Sequence, residues 1–373
     1  MKTNTLHIVA LNIPYPANYG GVIDIFYKIK VLSELGVKIH LHCFEYGRKH
    51  AEQLNTLCES VHYYPRNRHW KNLFSKIPFI VKTRNSKQLL ENLISIDAPI
   101  LYEGLHCCYY LNNTQLKERK QFVRAHNIES DYYKLLAKSE TKIATKLYLI
   151  TEYLKIKSFE KRLINADAIL AISDIDHDQL SKTSNSHLIR AFHPDATILS
   201  KTGIGEYAIY HGNLSVAENE NAALFLSLKV FKYLNYDLVI TGSNPSNKLR
   251  KEVLKHSNIR LVENPEDSVL EKMMKDAHVH VLTTEQDTGI KLKLLKSLYL
   301  GRHCVVNNKM VFKTGLEKTC VIVESPKQWI KQIKELQSIP FTDDDIIQRE
   351  ELLKPYSCIE EAKKIQSIIF PPE

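Results

Sequence analysis

Several signatures that would sort this chain at once are missing from it. No stretch approaches the ~20 consecutive apolar residues of a membrane-spanning helix. That excludes a chain threaded through a bilayer by helices. There is no Cys-x-x-Cys pair, and the seven cysteines, at 43, 58, 107, 108, 304, 320 and 358, are scattered. An odd, unpaired set predicts reduced thiols and a cytoplasmic protein. Gly-x-Gly-x-x-Gly is absent, so the usual dinucleotide fingerprint is excluded. Helix-turn-helix, zinc-finger and RNA-recognition wording are absent too, which argues against nucleic acid as partner. His106-Cys107-Cys108 has no second ligand pair at zinc spacing. Asp174-Ile175-Asp176-His177-Asp178 starts like a calcium loop, but Gln179 stands at its glycine position and Asn185 at its final Glu. Ser173 before it reads as an N-cap with acids in the first turn. No metal and no cofactor are therefore expected. Met1 to Leu11 holds only a short apolar run without a small-residue cleavage site, so no signal peptide is expected.

What is present is an α/β chain. Its 373 residues, 44% of them apolar, suffice for two domains with real cores. Strands and helices alternate throughout, which predicts parallel sheets covered by helices. The boundary falls after His193-Pro194, where residues 195–206 read as a linker. The expected parts are residues 1–195, residues 206–345 and a terminal helix within 346–373.

Four strand-to-helix junctions carry the chemistry. Leu6 to Leu11 reads as a strand, Asn12 to Gly21 as a loop and Val22 to Leu35 as a helix. Gly20-Gly21 lets backbone approach a ligand at that turn. Gln121 to Ala125 reads as a strand followed by His126-Asn127-Ile128-Glu129. An imidazole there can hydrogen-bond hydroxyls and titrates near neutrality. Tyr207 to Tyr210 reads as a strand leading into His211-Gly212-Asn213 and a helix from about Asn219. His278 to Leu282 reads as a strand leading through Glu285 and Gly289-Ile290-Lys291 into a helix carrying Lys293, with Gly301 as its C′ residue. A helix N-terminus with lysines beside it is an anion site. Glu103-Gly104-Leu105-His106, after the strand Ile100 to Tyr102, suits an acceptor side. Ile189 to Phe192 reads as the last strand of the first domain.

Taken in order, these junctions resemble the retaining family-4 glycosyltransferases, which have the GT-B fold of two facing Rossmann-like domains. The family pattern of Glu, seven residues, Glu falls on Thr288 and Lys296 here, so both carboxylates are lost, and Glu285 is the nearby substitute. Gly20-Gly21 and Gly212-Asn213 match the family's diphosphate loops, with Asn213 in place of Arg. His126 matches its histidine near the transferred sugar. The resemblance implies a transferase moving a sugar from a nucleoside diphosphate to a saccharide or lipid-linked saccharide. It implies a donor held by Gly20, Gly21, Gly212, Asn213, Glu285, Gly289, Ile290, Lys291 and Lys293. His126 would be the catalytic residue, and Glu103, His106 and Glu129 would lie on the acceptor side. Retention and metal independence come with it. Two alternatives stay open: a non-catalytic partner subunit, favoured by the two lost carboxylates, and a sugar-nucleotide epimerase.

The net charge of +9 exceeds what a diphosphate needs. Lys134, Lys138, Lys142 and Lys146 recur every four residues as one basic helical stripe, and Arg66 to Lys71 sets Trp70 among cations. One reading is peripheral contact with the inner face of an anionic membrane. The other is a solvated face.

Overall fold

The computed structural model describes residues 4–285 and 291–371. Contacts divide them into two units, residues 4–194 with 356–371 and residues 195–285 with 291–355. The first is centred on seven strands: β1 (Thr5–Ala10), β2 (Lys38–Glu45), β3 (Ser60–Pro65), β4 (Ile100–Glu103), β5 (Gln121–Ala125), β6 (Ala168–Ala171) and β7 (Ser186–Leu188). Their order is β3-β2-β1-β4-β5-β6-β7. The second is centred on six: β8 (Ala208–His211), β9 (Leu238–Gly242), β10 (Ile259–Glu263), β11 (Val279–Leu282), β12 (His303–Val306) and β13 (Val321–Ile322), in the order β10-β9-β8-β11-β12-β13. Every pairing in both sheets is parallel. The helices that frame the site are, in chain order, α1 (Gly20–Glu34), α2 (Glu129–Ser139), α3 (Ile143–Glu160), α4 (Ala217–Phe225), α5 (Leu292–Leu300) and α6 (Cys358–Ile369).

Parallel strands need helical crossovers, and helices on both faces bury the sheet. That is why Leu6, Ile8, Val9 and Ala10 of β1 are all inside. Ile25, Ile29 and Leu32 of α1 pack onto that strand together with Ala362, Ile365 and Ile369 of α6. Polar clasps hold α6 there. Glu361 accepts from Arg190 N at 2.7 Å, and Gln366 Nε2 donates to Leu35 O at 3.3 Å. Strand order reverses between β1 and β4 in one sheet and between β8 and β11 in the other. At such a switch point neighbouring crossovers leave toward opposite faces, opening a crevice at the strands' carboxyl ends.

The structure corrects several local readings. α1 begins at Gly20, so the glycine pair is its first turn and not loop. Tyr19 caps it, and Ile23 N donates to Tyr19 O at 3.0 Å. Ile189 to Phe192 forms no strand. β7 ends at Leu188, and beyond it Arg124 and Asp24 take the backbone groups that a ladder would use. Gly301 is not a left-handed C′ residue, since its φ is −97°. It is glycine because a Cβ there would lie 2.1 Å from His280 Nε2. The lysine stripe is not one helix. α2 ends at Ser139, Glu140 Oε1 accepts from both Thr141 N and Lys142 N, and α3 starts afresh at Ile143. One local reading holds: Asp174–Leu180 is a short helix capped by Ser173, whose Oγ accepts from Asp176 N at 3.1 Å, with Asp174 and Asp176 in its first turn.

Candidate active site

At the switch point of the first sheet, four charged groups lie out of water. Asp24 and Lys28 sit one helical turn apart on the buried face of α1. Lys28 Nζ is 2.9 Å from Asp24 Oδ2 and 2.8 Å from Glu103 Oε1 at the end of β4. Arg124 in β5 donates to both carboxylate oxygens of Asp24, at 2.8 and 3.1 Å, and to the carbonyls of Ile189 and Arg190. Two acids and two bases cancel, the condition under which buried charge is tolerated. Burial alone would raise the Asp24 carboxyl, yet Arg124 and Lys28 hold it far below the carboxylate range. Glu103 behaves likewise. Burial raises it, Lys28 and His126 outweigh that, and it stays ionised.

This cluster carries His126 at its edge. The ring follows β5 by one residue, and its Nε2 lies 3.0 Å from Glu103 Oε2. A carboxylate only accepts, so Nε2 carries the proton, and in the neutral ring Nδ1 is left as an acceptor. Gly104 makes the approach feasible: at φ 78° it turns the loop beneath the ring, and an added Cβ would stand 3.2 Å from His106 Nδ1 and 3.6 Å from His126 Cδ2. His106 lies beyond it, with Nδ1 3.8 Å from Glu129 Oε1, too far for a hydrogen bond. Burial, with Arg84 nearby, keeps the His106 ring neutral. Burial and the neighbouring Glu160 push the Glu129 carboxyl up to about 8, against Arg84. Glu129 is thus a protonated acid at neutral pH.

Asp24, Glu103 and His126 each present one ligand atom within 4.8 Å of the others, the spacing of a metal triad. Lys28 and Arg124 already neutralise both carboxylates, so a divalent cation would place excess positive charge in a balanced cluster. The donor set does not suit one.

In the second unit the loops after β8 and β11 are joined. Lys293, in the first turn of α5, donates to Asn219 Oδ1 at 2.7 Å and lies over the Tyr210 ring. Asn219 Nδ2 in turn donates to Asn213 O at 2.9 Å. Burial pulls the Lys293 ammonium down to about 8, with Glu218 opposing. The side-chain oxygen of Asn213 accepts from Ser215 N, Ser215 Oγ and Ser243 Oγ, so it shapes the loop. Gly212 closes on Asn219, and Gly242 fits beneath it because a Cβ there would lie 1.8 Å from Gly212 O. Ser297 fastens α5 behind the loops, its hydroxyl 3.0 Å from His211 Nε2 and 2.9 Å from His280 Nδ1. Lys291 caps α5 with extended backbone.

The structure brings Glu103, His106, His126 and Glu129 together at one switch point, and Gly212, Asn213 and Lys293 at the other. Gly20 and Gly21 form the first turn of the helix that follows β1. Glu285 stands apart, largely exposed and paired with Lys309 at 3.1 Å. Gly289 and Ile290, with Thr288, lie outside the described residues. Lys296, at the family's second carboxylate position, is half-buried and lowers the Asp195 carboxyl, which burial raises to about 6. Sequence reasoning passed over Asp24, Lys28, Arg124, Glu218 and Asn219. The first two had a visible signal: a charged i, i+4 pair, each member directly preceding an isoleucine, Ile25 and Ile29, on the apolar face of a helix. A concavity of about 480 Å³ lined by Thr114, Gln121 and Asp167 lies at the amino-terminal ends of β5 and β6. That is the wrong end of the sheet for a ligand.

No protein-family model matches the chain. An uncharacterised 44.6 kDa protein in the cps region of Klebsiella pneumoniae is 26% identical over 314 residues, 78% of this chain and 79% of its own. Solved structures match throughout. Sucrose-phosphate synthase from Thermosynechococcus elongatus superposes with a TM-score of 0.68 at 12% identity, covering 98% of this chain and 99% of that one. A glycosyltransferase from Rickettsia africae gives 0.67 at 12%, covering 100% of each. HepE from Anabaena, solved with UDP-glucose, gives 0.65 at 9%, covering 97% of this chain and 99% of that one. The two parallel α/β sheets therefore have the GT-B fold of glycosyltransferases.

Proposed function

We propose that the protein is a glycosyltransferase, taking a sugar from a nucleoside-diphosphate donor to a saccharide or lipid-linked saccharide. The observation that carries this reading is the Glu103–His126 pair. An ionised, neutralised carboxylate fixes an imidazole at the sheet's switch point, with Nδ1 free to accept a sugar hydroxyl. The fold supports it, since the matched structures include a named glycosyltransferase and a complex with UDP-glucose. The curated relative's cps region supports a role in envelope polysaccharide assembly.

On this reading the leaving diphosphate meets the α4 and α5 N-termini and Lys291 or Lys293. Those charges do the work that a metal would do, so transfer is metal-independent. Transfer retains the anomeric configuration by same-face attack, as in family 4, of which the chain would be a divergent branch. His126 orients sugar hydroxyls, and Glu103 orients His126. Release of nucleoside diphosphate from a panel of nucleotide sugars, with and without saccharide acceptors, tests the reading. One donor should be consumed in an acceptor-dependent way. A second reading, a non-catalytic partner subunit, draws on Lys296 and on the pairing of Glu285 with Lys309. Tight donor binding without consumption would select it.

A further inference from the structure

The first unit leaves one helix face unpartnered. Ile156 and Phe159 bury one side of α3, while Ile143, Leu147, Ile150 and Leu154 recur at i, i+4, i+7 and i+11 on the opposite side. Ile143 is 77% exposed, Leu147 59% and Leu154 58%. Beside α3, Trp70 and Phe74 stand 61% and 79% exposed on the turn Trp70–Phe74. One bond ties that turn to the helix, Lys155 Nζ donating to Leu73 O at 2.7 Å, and a second holds the chain just after it, Phe79 N donating to Glu152 Oε2 at 2.6 Å. Large apolar side chains grouped in exposure along one helix face, with two more on the turn bonded to that helix, mark an interaction site.

Charge identifies the partner. Lys134, Lys138, Lys142, Lys146 and Lys157 are exposed around the stripe, as are Lys161 and Arg162. Between residues 132 and 166 no Asp or Glu is exposed: Glu140 and Glu160 are half-buried, and Glu152 is buried against Lys155. Residues 60–90 contain no acid at all. Exposed apolar side chains among many cations, with exposed acids only at the segment's edges, Asp131 and Asp167, suit an interfacial helix on anionic lipid. No helix among the described residues is long and apolar enough to cross a membrane.

We propose that α3 and the Trp70–Phe74 turn form a docking face for an anionic lipid bilayer, the apolar stripe entering the headgroup region and the lysines meeting lipid phosphates. This goes beyond the catalytic reading and does not rest on it. The test is co-sedimentation of the full chain with phosphatidylcholine vesicles, with and without phosphatidylglycerol. Of the two tryptophans, Trp329 is buried, so a blue shift of emission on binding reports Trp70. Wild type should bind only the anionic vesicles, with the blue shift, and less at high salt. Replacing Lys138, Lys142, Lys146 and Lys157 with Gln should weaken binding by more than ~100-fold, at about 1 kcal/mol per charge. The triple variant Ile143→Gln, Leu147→Gln, Leu154→Gln should abolish the blue shift and weaken binding at least ~10-fold. Three results would overturn the proposal: no binding to anionic vesicles, binding without movement of Trp70, or a wild-type dimer that the triple variant dissolves. The last would make the stripe a seam between two copies.

Discussion

Glu129 is the residue whose protonation is most displaced toward neutrality. Its folded carboxyl titrates near 8, against about 4.5 for a free one. Between those values the folded protein keeps a proton that the unfolded chain has released. Its stability therefore falls as pH rises through that window and levels off above about 8. Glu129→Gln removes the dependence. Chemical unfolding at pH near 5 and near 8 should show the Gln variant gaining on wild type by up to about 1.4 kcal/mol per unit. A gap that stays constant would mean that Glu129 is ionised when folded. Glu103 is its opposite, ionised because Lys28 and His126 outweigh burial. Glu103→Gln leaves Lys28 without one counter-charge and frees the tautomer of His126. Turnover should fall well before the affinity for nucleoside diphosphate does.

The elements show what was legible beforehand. Around the end of β11, strand and helix were readable from apolar periodicity, and β11 and α5 fall within one or two residues of the reading. The target of Lys293 was not readable, because it depends on Asn219, whose approach is set by β8 pairing with β11. A test follows from its pKa near 8. Below that pH the ammonium is charged and adds to the α5 N-terminus. Nucleoside diphosphate affinity should decline as pH rises through about 8, and Lys293→Ala should bind about 1–3 kcal/mol more weakly at neutral pH. Calorimetry across pH checks both, and an unchanged affinity in the variant removes Lys293 from the donor site. α1 teaches the converse. Its apolar spacing was plain, yet Asp24 and Lys28 on that same face went unread. Their partners Glu103 and Arg124 lie 75 and 100 residues away in sequence, and only the strand order brings them together. The lysine period misled for a related reason: a four-residue spacing runs unbroken through Glu140 to Lys142, where the helix does not.

At the scale of the molecule, the sheet orders themselves place the chemistry. The reversals lie between β1 and β4 and between β8 and β11, strands that end at or run on to Gly20-Gly21, Glu103, Gly212-Asn213 and Lys293, and on the proposed reading the charges that meet the diphosphate come from side chains and helix ends. Transfer should therefore survive excess chelator. Complete loss of activity, restored by a divalent ion, would turn attention back to Asp24, Glu103 and His126 as ligands.

The central claim is that His126 acts on the transferred sugar while the donor's diphosphate is held elsewhere. One paired measurement tests it most directly: acceptor-dependent release of nucleoside diphosphate, and calorimetric affinity for that diphosphate, in wild type and His126→Ala. The account predicts consumption of one nucleotide sugar by wild type, turnover lower by on the order of 100-fold in the variant, and nearly equal affinities. A folded variant that turns over like wild type, or loses the nucleotide instead, would contradict it.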